Sequence, residues 1–129
     1  MSAGVPTRRA LLRVAALAAT LGACSGGAAA TLGPTSPHLQ LAAHDVAFDR
    51  TDLTVPAGVP FAIDFAQRDP GIPHDVDIRR ADGTTVFDGD VVDGPGAKTY
   101  AVGPLQAGTY TYICSVHPIP AMTGTLTVR

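Results

Sequence analysis

Between two stretches with the alternating apolar pattern of β-strands, 109–113 and 124–128, lies the run Cys114-Ser115-Val116-His117-Pro118-Ile119-Pro120-Ala121-Met122. A thiol, an imidazole and a thioether fall within nine residues, in the spacing C-x2-H-x4-M. Soft sulfur donors mixed with imidazole suit copper, and three donors from one loop leave a place for a second imidazole from elsewhere in the chain. The run therefore constrains the fold: its flanking strands must belong to a rigid frame that carries a distant histidine to its side. Zinc is the rival ion because Cys and His also bind it, but its structural sites draw on more cysteines and seldom on methionine.

Four histidines are available. His74 opens the segment His74-Asp75-Val76-Asp77-Ile78, where period-2 geometry puts it on the side of Val76 and Ile78, toward a core, with Asp75, Asp77 and Arg79 opposite. His38 falls in a Gly, Ala, Ser, Thr and Pro stretch and His44 in the first strand, and both read as structural or solvent-facing. The candidate metal residues are thus His74, Cys114, His117 and Met122, the last being the chain's one methionine apart from Met1.

The rest of the chain supplies the frame. Leu39, Leu41, Val46 and Phe48 predict a strand with a bend near His44-Asp45. Leu53-Thr54-Val55, the alternating Phe61, Ile63 and Phe65, the His74 segment, 84–87, 98–102, 109–114 and 124–129 complete a series of short strands. Asp82-Gly83, Asp88-Gly89 and Asp93-Gly94 are turn dipeptides, so much of the acidity belongs to turns before any partner is invoked. No segment beyond residue 23 has helical periodicity. The pattern predicts an all-β Greek-key sandwich or barrel of about seven to eight strands.

The beginning of the chain reads as export machinery. Arg8, Arg9 and Arg13 precede an apolar run from Val14 to Leu21, too short to span a bilayer, so 1–23 is expected to be a signal peptide. Thr7-Arg8-Arg9-Ala10-Leu11-Leu12 resembles a twin-arginine motif, with general secretion as the alternative. Leu21-Gly22-Ala23-Cys24 resembles a lipobox, in which Cys24 carries lipid and tethers the chain at a membrane face. Residues 24–38 are then a flexible tether and 39–129 the single domain. The expected location is periplasmic or extracellular. Cys24 and Cys114 have separate roles, and no disulfide is expected between them. Loss of 1–23 leaves six basic against eleven acidic residues, a net charge of −5, with no basic stripe to bind nucleic acid.

With these residues in place, the chain resembles the cupredoxins, particularly the plastocyanin-like one-copper proteins. The resemblance rests on Leu53-Thr54-Val55-Pro56-Ala57-Gly58, Gly71-Ile72-Pro73-His74-Asp75-Val76, Gly108-Thr109-Tyr110-Thr111-Tyr112-Ile113-Cys114 and the loop through Met122. It implies one type 1 copper ion with His74, Cys114 and His117 in a plane and Met122 as a weak axial ligand. It further implies a monomeric single-electron carrier, not an enzyme, that docks a redox partner such as a cytochrome, reductase or oxidase near His117. Copper buffering or delivery to an oxidase is the alternative. An enzyme would need further copper centres, and the four histidines do not supply them. One departure concerns the residue after the first histidine, most often Asn in the family and here Asp75; a carboxylate only accepts, so a tie to Ser115 must run from that residue's hydroxyl and N–H.

Overall fold

The alternation of Phe61, Ile63 and Phe65 with smaller or polar residues becomes the spine of one sheet. In the computed structural model, which describes residues 30–129 together with Met1 and Gly4, these three side chains are buried. Full burial of each contributes about 1.5–3 kcal/mol. The expected signal run, its arginines and Cys24 lie outside the described residues.

Among the described residues nine strands form two sheets: β1 (His38–His44), β2 (Ala47–Phe48), β3 (Asp52–Val55), β4 (Phe61–Gln67), β5 (Asp77–Arg79), β6 (Thr85–Phe87), β7 (Gly96–Val102), β8 (Gly108–Ile113) and β9 (Thr123–Val128). One sheet has the order β2-β1-β4-β7 and the other β3-β9-β8-β5-β6. The β1/β4 and β3/β9 pairs are parallel, and the remaining pairs antiparallel. Leu41, Phe61, Ile63, Phe65, Tyr100 and Val102 from the first sheet meet Leu53, Val55, Ile78, Tyr110, Tyr112 and Leu126 from the second in one apolar core. Phe65 stacks on Tyr100 at 5.9 Å, and Phe48 leans on Tyr112 at 5.7 Å. Gly124 is required beneath that tyrosine, because a Cβ there would overlap the Tyr112 ring. The Tyr100 and Tyr110 hydroxyls donate to the carbonyls of Asp90 and Gln106, at 2.7 and 2.9 Å, so the polar ends of core aromatics fasten the loops.

Three details differ from the pattern read in the sequence. The expected bent strand over 39–48 is a hairpin, β1–β2, closed by Asp45 and Val46 at φ of 53° and 55°, which adds a strand to the expected seven or eight. Two positive φ values are what a two-residue hairpin turn demands. Second, His74 precedes β5 instead of opening it, held by an isolated bridge in which His74 N–H donates to Val92 O (3.1 Å) and Val92 N–H to His74 O (2.8 Å). Third, Asp75 and Asp77 do oppose the core but are not exposed, at 1% and 4% accessibility. The 88–95 connection closes over this face, and Gly89 N–H donates to Asp77 Oδ1 at 3.3 Å. Burial first, then the charge of Asp75, pushes the Asp77 carboxyl above its ordinary value despite Arg79.

Candidate metal centre

β5 and β8 run antiparallel with Asp77 opposite Ile113, so the residues just before one and just after the other share an end of the sandwich. That register brings His74 and Cys114 together. Cys114 Sγ lies 3.8 Å from His74 Nδ1 and 4.0 Å from His117 Nδ1. All three donor atoms fall within 4.8 Å of one another, and the two imidazole centroids are 4.9 Å apart. Of the four candidates, His74, Cys114 and Met122 are fully buried and His117 is half-buried.

The loop owes its shape to its own backbone. Cys114 N–H donates to Met122 O at 3.0 Å, which closes the segment on itself. Ile119 N–H reaches His117 O at 2.8 Å, and Pro120 opens a single 3-10 turn, Pro120–Met122, that delivers the Met122 side chain to the interior. Proline suits that first position because its fixed φ is already helical and its missing N–H has no partner to lose. Pro118, Ile119, Pro120 and Ala121 are exposed, and Val116 beside them is 39% accessible.

The expected Asp75–Ser115 tie is present. Ser115 N–H donates to Asp75 Oδ1 at 2.6 Å and the Ser115 hydroxyl to Asp75 Oδ2. A carboxylate thus takes both hydrogen bonds as acceptor and joins the histidine segment to the cysteine loop.

One polar partner escaped the sequence reading. Asp69, in the loop between β4 and β5, places Oδ2 2.8 Å from His74 Nε2. It also accepts from the N–H groups of Asp45 (2.6 Å) and Val46 (2.9 Å). Gln67 clamps this loop, its Oε1 accepting from Asp69 N–H at 2.5 Å and its Nε2 donating to Ile72 O at 2.5 Å. Desolvation raises the Asp69 carboxyl, but hydrogen bonds from Val46, His74 and Asp45 outweigh it and hold the group below its ordinary value. His44 and Asp45 also bring donor atoms near Asp69, yet both are exposed and its oxygens are already engaged. His38 bonds Asp64 at 3.0 Å on the sheet surface, well away from the cluster.

The chemistry of the donor set fits one type 1 copper ion. Desolvation pushes the free Cys114 thiol up, more strongly than the N–H groups of Asp75, His117 and Val116 pull it down. A buried thiol so placed gains from a cation that replaces its proton. Two imidazole nitrogens and one sulfur of this spacing, with a buried thioether on the same loop, are the ligand types of a blue-copper site.

Comparison with known proteins agrees with this fold. Residues 13–128 match the model of the cupredoxin-like domain. Over 73 residues the chain is 34% identical to plastocyanin B'/B'' of Nicotiana tabacum, covering 57% of this chain and 68% of the plastocyanin. In fold, it is similar to auracyanin A, a "blue" copper protein of Chloroflexus aurantiacus, with a TM-score of 0.64 and 22% identity over 73% of this chain and all of that one. Amicyanin of Paracoccus versutus superposes with a TM-score of 0.54 and 23% identity, over 79% of this chain and 89% of its own. The chain belongs to the cupredoxin-like family.

Proposed function

We propose that this protein carries single electrons at a type 1 copper held by His74, Cys114, His117 and Met122, at the outer face of a membrane. The observation that carries the reading is the convergence of His74 Nδ1, Cys114 Sγ and His117 Nδ1 at one end of the sandwich, with one imidazole sealed in and the other half-exposed. Copper supplies the one-electron Cu(II)/Cu(I) couple. The chain's part is to hold two imidazoles and a thiolate in a frame that changes little with oxidation state, which keeps the reorganisation on electron transfer small. His74, Cys114 and Met122 keep water away, and His117 offers its ring edge to a docking redox protein across Ile119, Pro120 and Ala121. The chain is a carrier in this reading and not an enzyme.

Residues 1–23 act as the export signal, Cys24 as the lipid anchor and the stretch from Cys24 up to β1 as the tether that lets the domain reach membrane-bound partners. Among the described residues no helix is long and apolar enough to cross a membrane. The deciding experiment adds Cu(II) to the purified domain. An intense visible thiolate-to-copper band is expected, absent in Cys114→Ser and bleached reversibly by one electron. No band in the parent chain would reject the copper assignment, and rapid surrender of the metal to a chelator would favour copper delivery over electron transfer.

A further inference from the structure

A carboxylate can only accept a hydrogen bond, so the contact between Asp69 Oδ2 and His74 Nε2 at 2.8 Å places the ring proton on Nε2. The Nδ1 lone pair is then left facing Cys114 Sγ at 3.8 Å. Both side chains are sealed, at 0% and 5% accessibility, so water does not compete for the contact. Asp69 is itself fixed from two directions: Gln67 holds its main chain, and the Asp45 and Val46 N–H groups hold its oxygens. Val46 is β-branched and sits at φ 55°, a conformation that persists only where its surroundings impose it. The hairpin turn and the histidine thus share one carboxylate.

We propose that Asp69 is a positioning residue of the copper centre: it fixes the ring orientation and tautomer of His74, and its negative charge favours Cu(II) over Cu(I). The proposal rests on the copper reading above. A carboxylate behind a ligating imidazole raises that ligand's basicity, and a buried negative charge stabilises the higher oxidation state more than the lower.

Asp69→Asn in the copper-loaded protein is expected to keep the visible band and to weaken Cu(II) binding about 10–100-fold. Cu(I) binding changes less, so the reduction potential rises, by about 59 mV for each tenfold loss confined to Cu(II). An unchanged or lowered potential overturns the proposal. Asp45→Gly/Val46→Gly gives a turn that holds positive φ without help from the carboxylate. That background alone is expected to leave the potential where it was, and Asp69→Asn added to it to raise the potential as before. A shift produced by the glycine pair alone, and not increased by Asp69→Asn, would mean that Asp69 acts only through the turn. In the metal-free chain, nitrogen-edited NMR should show His74 protonated at Nε2, and protonation at Nδ1 would overturn the proposal. A parent chain without the visible band overturns the copper reading and this role with it; a blue parent with an unmoved Asp69→Asn potential overturns the role alone.

Discussion

The two histidines that face Cys114 belong to differently built surroundings. His74 is buried and held by hydrogen bonds from several segments: Asp69 on its outer nitrogen, the Val92 main chain on its backbone, and Asp75 next to it locked to Ser115. His117 is half-exposed in a loop held by its own backbone bonds and by Pro118 and Pro120, with apolar Val116, Ile119 and Ala121 around it. One side is stiffened by charge and hydrogen bonds out of water, the other by covalent restriction in water. In the electron-transfer reading proposed above, the two surroundings take separate duties: the buried arm fixes the geometry and potential of the site, and the exposed loop gives a partner access without opening it.

The largest effect is expected on the buried arm. Asp75→Ala removes the acceptor for two charge-assisted hydrogen bonds, from the Ser115 N–H and hydroxyl, and should cost about 2 kcal/mol in urea unfolding of the metal-free chain. Asp75→Asn keeps one acceptor, costs less, and should raise the reduction potential by removing a negative charge near the metal. It should also lower the pKa of Asp77, which the Asp75 charge helps to raise. The sign follows from linkage. Asp77 is easier to protonate folded than unfolded, so its contribution is present below the unfolded value near 3.8 and is lost as pH rises through the higher folded value. The parent should therefore lose more stability than Asp75→Asn over that interval. Equal potentials in the two proteins would place the charge of Asp75 out of the metal's reach and weaken the division between the two arms.

What the sequence disclosed follows the same division. Cys114, His117 and Met122 lie within one short segment, and their spacing alone brings them to one place. His74 was legible through its alternation with Val76 and Ile78, although it sits outside the strand that follows. Asp69 was not, because an Asp beside Pro70-Gly71 reads as turn chemistry, and its partners are Asp45, Val46 and His74. The hairpin at Asp45-Val46 was hidden for a related reason. Valine carries no local signal for positive φ, and a carboxylate more than twenty positions away accepts the turn's N–H groups. Alternation placed Asp75 and Asp77 opposite the core but not under cover, since nothing local showed that the 88–95 connection would close over them. Short-range pattern thus reveals the exposed loop, whereas the buried arm depends on contacts that only the fold brings together.

The exposed loop can be tested without knowing the partner, through electron self-exchange between two copies measured by NMR line broadening at high salt. Ile119 is 42% accessible among exposed prolines, and an ammonium placed there must lose water when two copies meet. Ile119→Lys should slow self-exchange about tenfold, equivalent to about 1.4 kcal/mol of docking free energy. The visible band should stay where it was, because Ile119 is not a donor in the site. Unaltered exchange would move the contact surface elsewhere; an altered band would show that the loop's surface also shapes the metal geometry.

The smallest effect is expected from the stiffening of that loop. Pro118→Ala/Pro120→Ala leaves the Cys114 N–H to Met122 O bond in place and frees two φ angles, chiefly in the unfolded chain. The pair should cost about 1 kcal/mol in stability, with little change in potential, since no charge or donor has moved. The comparison with Asp75→Asn is then direct: one change lowers stability and spares the potential, the other moves the potential. Should the proline pair shift the potential as far as Asp75→Asn does, loop stiffness would belong with the groups that tune the metal. The exposed side would then share in fixing the site, and access alone would no longer describe it.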